Sequence, residues 1–266
     1  MNFYETITAA VADITDRGYD PIRVDEWLLR IEQAAKQSLT PPDVMEATLR
    51  RSLEGLYKRY VERAGLLKLN PGVSRFTLDQ LKPKLRVELD RRIMASAQLI
   101  KMNREAAIQK TLQRFSGWST SVPEGGSKVI DKNDVKGDIK KSLKSLPFEE
   151  RRVIIDQGHK FVAALSETLA VDGGAIAGIW HSNWKQRNYN YRKDHKERDG
   201  KVYTMRGNWA QERGLMKCGP AGYTDEITQP GEEVFCRCFY QWIYSLRDLP
   251  DDMLTKKSDA ALDAGK

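Results

Sequence analysis

The residues best suited to chemistry lie in the last third of the chain. His195 precedes Asp199-Gly200 by four positions in "RKDHKERDGKVY", and Cys236 and Cys238 follow in "PGEEVFCRCFYQW". Three or four Cys, His or carboxylate ligands must converge to hold a transition metal. His195, Asp199, Cys218, Cys236 and Cys238 are the available set. If Cys-Arg-Cys is part of a strand, alternation puts Cys236 and Cys238 on one face and Arg237 on the other. A turn at Asp199-Gly200 folds His195 back toward its own downstream strand. The plainer reading makes the cysteines small buried apolar residues and His195 a partner of the backbone. One Cys-x-Cys pair with one His is a weaker signal than two Cys pairs. The expectation is therefore no cofactor. Zinc on His195, Cys236 and Cys238, with a fourth ligand from Cys218, Asp199 or water, stands as the alternative.

A second chemistry is acid–base catalysis. His195 with Asp194 or Asp199, and Glu197 beside it, could serve a nuclease as general base. No Gly-rich phosphate loop and no Ser/His/Asp order accompanies them. His159 and His181 read as structural. Charge adds a third possibility. The chain carries a net +7. Residues 181 to 217 hold 10 basic and 4 acidic side chains, a local +6, whereas residues 218 to 266 hold 5 basic and 9 acidic ones. Lys185, Arg187, Arg192, Lys193, Lys196, Arg198 and Lys201 form the candidate patch for DNA or an acidic partner, or simply a solvated face. Aromatic residues interleave with it, among them Trp184, Tyr189 and Tyr191. Such rings can stack bases or build the core of a small module. Trp180 and Trp242 are read as core.

The elements that must position these residues differ along the chain. Helical periodicity dominates residues 1 to 116. "VDEWLLRIEQAAKQ" puts Trp27, Leu28, Ile31 and Ala34 or Ala35 on one stripe. Thr40 and Pro41 open a third helix, which Gly65 ends. Thr77 and Gln80 have capping-box spacing and begin a helix of close to forty residues, running past Pro83 to Phe115. Residues 117 to 147 are expected to be a linker, with Gly, Pro and Ser densest over 117 to 135. A helix from about Phe148 to Gly173-Gly174 leads into three strands: "AIAGIWHSN", "KVYTM" and "VFCRCFYQWIYSL". Residues 247 to 266 read as a polar, loosely attached tail.

Composition bounds the class. At 266 residues, 40% hydrophobic and 30% charged, the chain is globular. No apolar run approaches the roughly twenty residues of a membrane helix, and the first residues do not read as a signal peptide. Three cysteines make no disulfide framework and point to a reducing compartment. The fold class is α+β: an elongated, mainly helical N-terminal region and a small C-terminal α+β module of short antiparallel strands.

The ordered set Trp180-x-Ser182, then Arg192-x-x-His195-x-x-x-Asp199-Gly200, then Pro230-Gly231 and Cys236-Arg237-Cys238 resembles the C-terminal module of tailed-phage head morphogenesis proteins, the Mu F-like minor head proteins. The resemblance covers roughly residues 148 to 246. It implies a non-enzymatic minor capsid protein, at or near the portal inside the head, that acts in head assembly and in DNA packaging or delivery. The implied partners are portal or major capsid protein and packaged DNA. The implied location is the virion, with the host cytoplasm during assembly. Some members carry Cys-x-x-Cys where this chain has Arg192 and His195. Arg192 cannot be a ligand, because a guanidinium stays protonated. His195, Asp199 and the Cys-Arg-Cys segment are then expected to cross-brace a small β-module. The alternative is a nucleic-acid-processing enzyme or toxin-like domain centred on His195.

Overall fold

A computed structural model describes residues 1–264. The chain divides into two compact units, and each is built from two separate stretches. The first comprises Met1–Leu49 and Ala95–Ile154, the second Arg50–Met94 and Ile155–Lys266.

The first unit is helical. Helix α1 (Phe3–Arg17) starts at a capping box in which Asn2 and Glu5 satisfy each other's backbone N–H. Helix α2 (Pro21–Ser38) starts with Asp20 accepting from Arg23 N and Pro21 in the first turn. Helix α3 (Pro42–Tyr57) begins here, and parts of α4 (Arg75–Ser119) and α5 (Lys132–Asp172) complete the unit. Its core contains Ile7, Val11, Ile14, Ile31, Phe115, Ile139 and Leu146. The expected stripe on α2 is present: Trp27, Ile31, Ala34 and Ala35 are buried, and Leu28 packs partly against them.

Two expectations need correction here. Helix α4 is a single element of 45 residues, but Ser74 caps it, accepting from Thr77 N at 3.1 Å. The expected linker 117–147 is helical over 117–119 and again from Lys132 onward. The remaining stretch is docked, because Ser127 N donates to Thr15 O at 2.8 Å. A Cβ on Gly126 would sit 2.5 Å from that same oxygen, so the close approach requires glycine. Helix α5 therefore starts well before Phe148, and buried Ile139, Leu143 and Leu146 explain why.

The second unit carries the strands. β1 (Ala177–His181), β2 (Val202–Thr204) and β3 (Phe239–Ile243) form an antiparallel sheet in the order β2-β1-β3. Trp180 pairs with Tyr240, and Gly178 lies between Tyr203 and Trp242. A Cβ on Gly178 would come within 2.9 Å of the Tyr240 ring, so the aromatic layer can form only over glycine. Trp180, Tyr203, Tyr240 and Trp242 make that layer with Cys236 and Cys238.

Residues 50–94 complete this unit, so the expected module 148–246 is not self-contained. Trp242 N donates to Leu69 O at 3.1 Å. Asn70 donates to Ser166 Oγ and accepts from Tyr244 Oη, and Trp242 Nε1 reaches the same serine. The expected loose tail is also packed: Met253 is fully buried, Leu254 bridges to Met216, and a last helix (Lys256–Ala264) follows. Among the described residues, no helix is long and apolar enough to cross a membrane.

Candidate metal centre

His195 lies on a one-turn helix, α6 (Lys193–Glu197), between β1 and β2. Gly200, with φ of +78°, turns the chain after it, and its N–H donates to Trp180 O at 2.8 Å. The His195 side chain thereby reaches the aromatic layer, edge-on to Trp180 with centroids 5.3 Å apart. It is 1% exposed. Its Nδ1 lies 3.6 Å from Cys236 Sγ and 3.5 Å from Cys238 Sγ. One ligand atom from each of the three residues falls within 4.8 Å of the others.

The two cysteines share a side, as alternation predicts, but not as part of a strand. β3 begins only at Phe239, and residues 236–238 are irregular. Phe235 takes φ of +61°, a left-handed conformation that costs a bulky residue about 1–2 kcal/mol. Such a conformation persists where its surroundings over-determine it, and here they do. Asp156 of α5 accepts from Phe235 N at 2.6 Å. Tyr189 Oη donates to Phe235 O and accepts from Arg237 N, both at 3.2 Å. Asn183 Nδ2 donates to Arg237 O at 2.7 Å, and Arg192 donates to Val234 O while pairing with Glu233. The Cys-Arg-Cys segment does not pair with the backbone around His195. Side chains connect the two.

Electrostatics favour one anionic sulfur. Cys236 is held down to about 5, first because the Cys238 thiol donates to it, although burial opposes this. The Gly231 and Cys238 N–H groups add to the effect. Cys238 is pushed up by the Cys236 sulfur and by burial, with Ser182 and the Asn183 backbone opposing. On the other side of the imidazole, His195 Nε2 is buried with no hydrogen bond. It faces Glu233 Oε2 at 3.7 Å and Asp194 Oδ2 at 3.8 Å.

The remaining candidates do other things. Asp199 accepts from Ser182 N and Trp184 Nε1, both at 2.8 Å, and these donors hold its carboxyl below the ordinary range. Cys218 turns its sulfur to Gly219 O. Neither belongs to the cluster. Arg237 points away, as expected, and donates to the side-chain carbonyl Gln186 Oε1 at 2.8 Å. Within the basic patch, Arg192 is tied to Glu233 and Arg198 to Asp194 and Thr228. Lys185 and Lys196 lie over the Trp184 ring, at 5.1 and 4.4 Å from its centroid. Arg187, Lys193 and Lys201 are exposed.

Sequence reasoning missed Asp156 and named Tyr189 only as an aromatic of the basic segment, not as a holder of the Cys-Arg-Cys loop. Each acts on a loop more than forty positions away, and no local pattern marks such a contact. Comparison with family models, curated proteins and solved structures finds no match to this chain.

Proposed function

We propose that the chain is a non-enzymatic minor capsid protein of a tailed phage, placed at or near the portal inside the head and acting in head assembly and in DNA packaging or delivery. The supporting observation is what six residues of the resemblance do: Trp180, Arg192, His195, Asp199, Cys236 and Cys238 hold backbone or core in place. Trp180, His195, Cys236 and Cys238 meet in one buried cluster. Asp199 and Arg192 fix loops around it. A general base must reach its substrate, and His195 is 1% exposed, which weighs against the reading of a nucleic-acid-processing enzyme. The cluster offers three ligand atoms to a metal ion, and zinc is the candidate.

The partners are portal or major capsid protein, with packaged DNA as the polyanion. Lys185, Arg187, Lys193, Lys196 and Lys201 are the cations left exposed for it. The test is location. Purified heads of the phage that encodes the chain should contain it, and deleting its gene should lower the yield of DNA-filled heads. Heads that lack the protein, with normal yield after deletion, would overturn the reading.

A further inference from the structure

Two independent features of the cluster concern what it binds. The first is spacing. A tetrahedral zinc, with Zn–N of about 2.0–2.1 Å and Zn–S of about 2.3 Å, sets its nitrogen and sulfur ligands about 3.5–3.6 Å apart. His195 Nδ1 lies 3.5 and 3.6 Å from the two sulfurs. The second is a pair of buried polar atoms that have no partner within the chain: Ser182 Oγ and His195 Nε2 are both buried with no hydrogen bond.

The imidazole has a carboxylate behind it. A metal-bound imidazole commonly donates its second N–H to a carboxylate, which fixes the tautomer. His195 Nε2 is buried without a hydrogen bond and faces Glu233 at 3.7 Å. Glu233 in turn is held by Arg192. Arg192, excluded as a ligand by its charge, thus has a place behind the carboxylate.

We propose that His195 Nδ1, Cys236 Sγ and Cys238 Sγ bind one zinc ion as a neutral imidazole and two thiolates, that water hydrogen-bonded by Ser182 takes the fourth position, and that Glu233 is the positioning residue that orients His195. Any proton still on a thiol is released to solvent on binding. Two thiolates and an imidazole suit zinc better than a hard oxygen-seeking cation. The proposal rests on reading the cluster as a brace, and the two fail separately: a metal-free cluster that still protects its loop from exchange sinks zinc alone.

The test uses the full chain, purified under reducing conditions from zinc-supplemented cells. Elemental analysis should give about one zinc per chain. Replacing zinc by Co²⁺ should produce a thiolate-to-cobalt charge-transfer band, absent in Cys236→Ser. Because Cys236→Ser can also unfold the loop, Glu233→Gln supplies the second arm. It keeps every ligand, so the cobalt band should persist while zinc affinity, measured by chelator competition, falls about 10–100-fold. Folded wild-type protein with no zinc and no cobalt band would overturn the site. Unchanged affinity in Glu233→Gln would overturn the role of Glu233.

Discussion

The first compact unit and the loop around Cys236 are held by different means. The helical core of α1, α2 and their partners consists of aliphatic and aromatic side chains at helical spacing, among them Ile7, Ile14, Ile31 and Phe115. Burial of this kind is spread over many residues and is roughly proportional to apolar area. The loop 231–238 has no regular hydrogen-bond ladder. It is held by a few directional contacts from Asp156, Asn183, Tyr189, Arg192 and His195. The contrast teaches where single changes act. In the helical core a substitution lowers stability in proportion to volume removed. In the loop each directional hydrogen bond carries a discrete share of what holds the strained backbone in place.

The largest effects fall on the two cores and sharpen the contrast. Trp180→Ala should cost about 3–5 kcal/mol and Ile14→Ala about 2–5 kcal/mol. Hydrogen exchange should then rise in the sheet for Trp180→Ala and in Phe3–Arg17 and Pro21–Ser38 for Ile14→Ala. Identical exchange profiles for the two variants would break the distinction between regions.

Asp156→Ala comes next. It leaves Phe235 N without its acceptor and Lys160 without its ion-pair partner, which lies at 3.3 Å. A hydrogen bond to a charged group contributes about 1.5–3 kcal/mol. Chemical denaturation should show a loss of that order, with NMR shifts centred on residues 233–238. Tyr189→Phe removes one hydroxyl that bridges Phe235 O and Arg237 N, and should cost about 0.5–1.5 kcal/mol. A Tyr189→Phe variant that exchanges as slowly as wild type at Arg237 would show the bridge to be dispensable.

The smallest effect is on pH dependence. The Ser182 N–H, the largest favourable cause, and the Trp184 indole hold the Asp199 carboxyl below its ordinary range. Its folded pKa is depressed, so its contribution is present above the unfolded carboxylate value and is lost as pH falls through the folded one. Asp199 is solvent-exposed, so the change is local. Acidification should release the Trp184 indole N–H, seen as faster exchange of that proton. Asp199→Asn should show the faster exchange already at neutral pH.

The helices were largely legible in the sequence because helix signals are local. The α2 stripe and the long run after Pro83 both lie within a few turns of what they determine. The start of α5 was hidden. Gly137 and a run of lysines weaken the pattern, although Ile139, Leu143 and Leu146 carry it, and tertiary burial overrides propensity. The alternation "VFCRC" imitates a strand, but the positive φ of Phe235 breaks it, and Asp156, 79 positions away, holds that break. His195, Cys236 and Cys238 could be named as a candidate set from residue type. That they meet through Nδ1, with Glu233 behind the ring, depends on the Asp199-Gly200 turn, which the sequence signals, and on the positive φ of Phe235, which it does not. The packed C-terminal stretch was missed because Leu249, Met253 and Leu254 are isolated apolar residues in a polar segment.

The claim that the His195–Cys236–Cys238 cluster closes the loop onto α6 is tested most directly by hydrogen exchange on His195→Ala against wild type. Loss of this buried side chain should cost on the order of 1–3 kcal/mol. Exchange should rise first over residues 192–199 and 231–240 and leave Phe3–Arg17 unchanged. Unaltered protection across 192–240, or loss confined to the N-terminal helices, would contradict it.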